Sequence, residues 1–210
     1  MRIKVLSRME VESGSADGAD GVISIRGSTV GNEPELATAL AQATRGESAR
    51  LLRLSFDDIG IPAYGHFRGP TMSQIQDAIE FGRSIVDGRK LFDGPSAEPP
   101  LIAVHCEHGK SRSAAIALAL LADHFGAGHE HDTVNELMRT DVESRMHPNP
   151  LVVSLADASL FRYGRLDVAL AELSPRYLQW RDLWRKIVVD PDAYWEKASR
   201  ILSQSGQRVS

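Results

Sequence analysis

The sequence predicts an α/β fold: a mainly parallel central sheet of four or five strands, flanked by helices, with a helical layer at the C-terminal end. Three observations predict it. Short β-rich runs alternate with amphipathic stretches through the first two-thirds of the chain, the order that lays helices over both faces of a parallel sheet. One of those runs, PLIAVH at 100–105, is almost continuously apolar, as befits a strand covered on both faces. Beyond Pro150 no strand candidate remains.

Taken in order, RIKVL at 2–6, GVISIR at 21–26, RLLRLSF at 50–56 and PLIAVH at 100–105 read as strands bounded by Gly, Pro, Ser or Asp. Helical spacing marks 33–44 and 71–88. In the second, Met72, Ile75, Ile79 and Ile85 fall near one stripe, with Gly88 as the stop. The stretch 89–99 reads as a loop from its Gly and Pro content. Residues Ser113–Phe125 are alanine-rich and apolar nearly all round, the pattern of a buried helix. Gly126-Ala127-Gly128 ends it, and Asp132 or Thr133 can cap a further helix through Met138. The stretches 151–173, 176–189 and 191–203 look helical, parted at Ser174-Pro175 and Asp190-Pro191. Residues 1–150 are expected to form the α/β core. Residues 151–205 are expected to pack on it as part of the same domain, ahead of a frayed tail at 203–210.

Composition narrows the function classes. The 210 residues hold 42% hydrophobic and 25% charged side chains and carry a formal charge of -4. That is an ordinary globular composition with no general attraction for nucleic acid or acidic membranes. The single cysteine excludes an intramolecular disulfide framework and suits a reducing compartment. Met1-Arg2-Ile3-Lys4-Val5-Leu6 meets charge too early for a secretory leader, and no apolar stretch approaches a membrane span. A cytoplasmic protein is expected.

The chemistry concentrates at His105-Cys106-Glu107-His108-Gly109-Lys110-Ser111-Arg112-Ser113, between the buried strand and the buried helix. A loop leaving a strand and entering a helix aims backbone N–H groups at one point beside the positive end of the helix dipole. Such a nest binds a phosphate dianion without a metal. Glu107, His108, Gly109, Lys110 and Ser111 would form the half-ring around the anion, with Gly109 permitting the turn. Cys106 lies at the base, where the same N–H groups and Arg112 favour thiolate. The Arg112 fork can meet two phosphate oxygens. Thiolate attack gives a cysteinyl-phosphate that water then hydrolyses. Ser113 can hydrogen-bond Cys106 and ease its departure, while His105 is expected to fix the loop by hydrogen bonding.

H-C-x5-R-S between a strand and a buried helix resembles the phosphate loop of the protein tyrosine phosphatases, nearest to their compact dual-specificity branch. The resemblance implies Cys106 as nucleophile, Arg112 as phosphate ligand and Ser113 as leaving-group aid. It also implies a general acid from an Asp on a mobile loop upstream. Leu54-Ser55-Phe56-Asp57-Asp58-Ile59 resembles the stretch that carries it, which places the acid on Asp58, with Asp57 the alternative. Arg145-Met146-His147-Pro148-Asn149 resembles the P-N segment that opens the family's last core helix. The substrate implied is a phosphomonoester, phosphotyrosine first, on a protein or another carrier. His108 resembles RNA 5′-triphosphatase members and Lys110 the phosphoinositide phosphatases, so lipid and RNA esters stay open. A phosphate-binding module without turnover is the other alternative.

Competing readings are weaker. A nucleotide-binding loop ending in Gly109-Lys110-Ser111 requires glycine where Val104 stands. The histidines 105, 108, 124, 129 and 131 match no zinc spacing that includes a cysteine pair, so neither metal nor cofactor is expected. A thiol-relay reductase needs more cysteines than one. Trp180, Trp184 and Trp195 stand at core-like spacing and read as packing residues.

Overall fold

The computed structural model describes residues 1–31, 33–92, 98–141 and 143–197. Its centre is a four-stranded sheet of β1 (Arg2–Ser7), β2 (Gly21–Arg26), β3 (Leu51–Ser55) and β6 (Leu101–Cys106), in the order β1-β6-β2-β3. Every pairing is parallel, with Ser7 opposite Cys106, Ser24 opposite His105 and Arg26 opposite Ser55. All four strands therefore end at one rim. The expected strands are there within a residue or two at each end.

Helices cover the sheet. A short α1 (Arg8–Glu12) follows β1 directly, where Ser7 and Glu10 form a reciprocal capping box. The Ser-x-x-Glu signal for it was in the sequence. Between β2 and β3 lies α2 (Pro34–Ala43), and α3 (Met72–Phe92) precedes β6. The latter runs past the expected stop at Gly88, because a glycine in an exposed helix costs only about 1 kcal/mol. Along α3, Ile75 and Ile79 are buried, whereas Met72 stands at the exposed start. Residues 93–97 of the expected 89–99 loop lie outside the described residues.

The helix after β6, α4 (Arg112–Phe125), is sealed from Arg112 through Ala122. Its alanines let the neighbours approach closely, and one apolar cluster runs from Ile23 and Ile102 through α4 to Leu166, Ala169 and Tyr177. The C-terminal layer thus shares that cluster with the sheet.

Three expectations need correction. Helix α5 (Glu130–Thr140) starts at His129, earlier than Asp132 or Thr133. The stretch 151–173 is two helices, α6 (Pro150–Ser159) and α7 (Arg165–Leu173). The Asp157 carboxylate draws the chain out of α6 by accepting the N–H groups of Gly164 and Leu166. Buried Arg162 anchors the break on the Ala122 carbonyl at 2.9 Å. A hairpin of β4 (Ala63–Tyr64) and β5 (Phe67–Arg68) was not expected, since two-residue strands carry no periodicity.

After α7 come α8 (Pro175–Val189) and a helical segment at 191–197. The expected continuation to 203 and the tail at 203–210 lie outside the described residues.

Candidate active site

The first residues beyond each strand meet at the rim. Arg8 follows β1, Gly27 follows β2, Asp57 lies just past β3, and Glu107 follows β6; all line a cavity of about 440 Å³ that also holds Cys106 and Arg112. In open parallel sheets, the crevice beyond the carboxyl ends of the strands is where ligands bind.

Cys106 ends the central strand β6 and is 2% exposed. Its Sγ lies 3.1 Å from the Ser113 hydroxyl, in a buried contact. From there the loop 107–111 curls over the start of α4. Its carbonyls are turned outward: Glu107 accepts from the Arg8 N–H, Lys110 from His147 and Ser111 from Asn149. Among the described residues, the N–H groups of 107–111 have no hydrogen-bond acceptor. Gly109 holds φ +67°, and a Cβ there would lie 2.7 Å from the Ser7 nitrogen. The loop rests on the end of β1 at that point, and only glycine fits.

Arg112 is 8% exposed. Its Nη1 donates to the Phe56 carbonyl at 3.0 Å, which sets the plane of the fork. Its Nε has no hydrogen-bond partner. A buried guanidinium with an unmet donor, beside a loop of unmet N–H groups, is matched to an anion with several acceptor oxygens.

The two adjacent aspartates have opposite surroundings. Asp57 accepts from the Ser28 N–H at 3.1 Å, from the Ser28 hydroxyl, and from the Arg68 N–H at 2.7 Å. Burial pushes its pKa up, but the Ser28 hydroxyl, the Arg68 and Ser28 N–H groups and the Arg112 charge together hold it below its ordinary value. A carboxyl so engaged stays ionised and is a poor proton donor. Asp58 is held by one oxygen: its Oδ1 accepts from the Ser111 hydroxyl at 2.7 Å and from Asn149 Nδ2 at 2.9 Å. Both of these bonds fall on Oδ1, and none to Oδ2 is made among the described residues.

The segment between β3 and the hairpin is pinned at several points. Asn149 Nδ2 also reaches the Ile59 carbonyl at 3.1 Å, and a Cβ on Gly60 would meet Trp184 at 2.5 Å. Ser111 ties this segment to the anion loop itself. Behind the loop, His105 is 1% exposed and neither ring nitrogen has a hydrogen-bond partner. Burial lowers its pKa to about 4, the Arg112 charge acting in the same direction and the Cys106 backbone against it. It is a neutral ring packed at the end of β6, and the expectation that it fixes the loop by hydrogen bonding needs correction, because both ring nitrogens are buried without a partner.

No family model matches the sequence, and no curated protein matches it either. Among solved structures the chain is similar to a crystal structure of PTPMT1 in complex with PI(5)P. The identity is 16% over 82% of this chain and 94% of that one, with a TM-score of 0.44. It is also similar to Tk-PTP in its active form, at 11% identity over 77% of this chain and 93% of that one, with a TM-score of 0.45. Likenesses this distant assign no residue of this chain a role.

The structure brings His105, Cys106, Glu107, Arg112, Asp57 and Asp58 into one cavity. The Ser111 hydroxyl turns to Asp58, and the side chains of His108 and Lys110 do not line the cavity. Other contributors to the site were not expected there, although Asn149 was expected at a helix start. Ser28 and Asn149 hold the aspartates, and Glu33 bridges Arg8 at 2.5 Å and Arg26 at 2.6 Å. Trp195, expected as a packing residue, lines the cavity instead. Only Asn149 had a signal, as the Asn-Pro pair of a helix start. Its Oδ1 does cap α6, through Leu151 and Val152.

Proposed function

We propose that this chain is a cysteine-dependent phosphatase of the protein-tyrosine-phosphatase type, hydrolysing phosphomonoesters with phosphotyrosine as its first substrate. One observation carries the reading: a thiol at the end of a buried strand faces a loop of unmet N–H groups, with an unmet Arg112 donor beside it. A phosphate seated there has Cys106 Sγ beneath phosphorus and Arg112 at its flank.

In the first step the Cys106 thiolate attacks phosphorus, the phosphorus–oxygen ester bond breaks, and Asp58 gives its proton to the departing alcohol oxygen. In the second, the Asp58 carboxylate takes a proton from water as the water oxygen bonds to phosphorus. Cys106 leaves as thiolate, stabilised by the Ser113 hydroxyl. Inorganic phosphate is released and both side chains return to their starting forms. Pre-set donors around the anion stabilise the charge that builds in each transition state.

A single phosphate suits the charge balance. Glu33 offsets the Arg8 and Arg26 charges, although Arg26 Nε keeps no hydrogen-bond partner, so Arg112 and the loop amides supply most of the positive field. This favours a monophosphate over a substrate with several phosphates close together.

The test is release of phosphate from p-nitrophenyl phosphate in the presence of EDTA. Wild type is expected to turn over. Cys106→Ser, with an unchanged circular dichroism spectrum, is expected to lose at least about a thousandfold. Activity retained in that variant, or abolished by EDTA, overturns the reading.

A further inference from the structure

The floor of the cavity is polar, but its upper lining is not. Ile25, Val30, Leu36, Ile59, Phe67 and Trp195 line the same cavity as the thiol. Trp195 differs from the others in its origin, the segment after α8, far along the chain from Cys106. We propose that Trp195 is a specificity-determining residue of this site. With Phe67 it forms the aromatic surface against which the ring of an aryl phosphate lies. The inference rests on the phosphatase reading above.

The ring is held in place. It stacks on Tyr64, with centroids 5.4 Å apart and planes at 21°, and near-parallel to Phe67 at 6.2 Å and 17°. Tyr194 meets it edge-on at 5.4 Å. The Tyr64 hydroxyl donates to Asp192 at 3.0 Å, tying the same segment to the hairpin a second time. The hairpin is in turn fixed to the reacting centre, because the Arg68 N–H next to Phe67 donates to the Asp57 carboxylate. Direct contacts therefore join the Trp195 segment through the hairpin to Asp57.

Exposure separates this tryptophan from its neighbour. Trp184 is 5% exposed and belongs to the cluster with Ile59, Ile61 and Ile187. Trp195 is only half-buried and keeps part of its surface on the cavity. A seryl or threonyl ester has no flat apolar surface to lay against this wall. A phenyl ring one ester bond above phosphorus does, and aromatic pairs favour offset and edge-to-face contacts at these distances.

The test separates the ring from the phosphate. Calorimetric titration of the full chain with phenylphosphonate and with inorganic phosphate gives two dissociation constants for wild type, Trp195→Ala and Trp195→Phe. Trp195→Ala is expected to weaken phenylphosphonate about tenfold and inorganic phosphate less than about twofold. Trp195→Phe is expected to stay within about threefold of wild type for both. Equal weakening of the two ligands in Trp195→Ala shows a ring that only props the wall, and overturns the inference. Unchanged or tighter phenylphosphonate binding overturns it as well. A wild-type chain that binds neither ligand brings down the phosphatase reading, and this inference with it.

Discussion

The floor of the cavity and its walls are built on opposite plans. The floor is one unbroken stretch from Cys106 to Arg112, set between a strand and a helix whose residues are almost all sealed. The walls are collected from Arg26 and Glu33, from Asp57, Asp58 and Phe67, and from Trp195. Contiguity gives the floor a geometry that distant substitutions barely reach. The walls depend on tertiary contacts such as Ser28 to Asp57 and Asn149 to Asp58. Floor and walls are thus set by different kinds of contact, joined where the Ser111 hydroxyl meets Asp58.

The largest expected effect divides the wall itself, between its two carboxylates. Asp58→Asn is expected to slow hydrolysis of an alkyl phosphate about a hundredfold or more. The loss for p-nitrophenyl phosphate should be far smaller, because p-nitrophenolate leaves without a proton. Asp57→Asn is expected to slow both esters alike and to cost about 1–2 kcal/mol of stability, seen as a fall of about 4 °C in the melting midpoint. Steady-state kinetics with both esters, plus thermal melts, decide. The opposite pattern would exchange the two roles.

A second effect tests how the floor is buttressed. The His105 pKa falls to about 4 in the fold, against about 6.5 in an unfolded chain. Between these values the unfolded chain holds more protons, so stability rises with pH. The neutral ring's contribution is complete above about pH 6.5 and is lost as pH falls towards 4, by about 3 kcal/mol in all. Urea unfolding at pH 7 and pH 4.5 measures it. His105→Phe should flatten that part of the profile, and an unflattened slope would place the titrating group elsewhere.

The smallest effect compares two glycines. Gly109→Ala combines a left-handed backbone with a backbone clash against Ser7 and Leu6, whereas Gly128 has φ +90° in open space. Gly128→Ala is expected to cost about 1 kcal/mol and Gly109→Ala about 2–3 kcal/mol in urea unfolding. Equal costs would mean that β1 yields under the loop.

The same division decides what could be read from the residue order. Strands and the 105–113 segment were legible because period-two runs, an all-apolar helix and one loop are local patterns. Asp58 entered as a candidate only through resemblance to the stretch after a strand, and its place in the cavity could not be read from the residue order. That Asp57 is spoken for by Ser28 and Arg68, and Asp58 by Ser111 and Asn149, depends on contacts between residues 11 to 91 positions apart. Trp195 shows the limit most plainly. Tryptophan at core-like spacing fits a buried ring and a cavity wall equally well, and only the Tyr64–Phe67 hairpin, invisible to periodicity, separates the two. The 160–164 break escaped for the same reason, since Asp157 and Arg162 act through Gly164, Leu166 and Ala122.

Asn149 gives two parts of the molecule a common fate. Its Oδ1 starts α6 and its Nδ2 suspends Asp58. Loosening of that helical turn therefore frees Asp58, the proton donor of the proposed reaction, together with the Asn149 tie to the Ser111 carbonyl, while the sheet and the thiol stay in place. Gentle warming should then silence demanding esters before easy ones, and well before the chain unfolds.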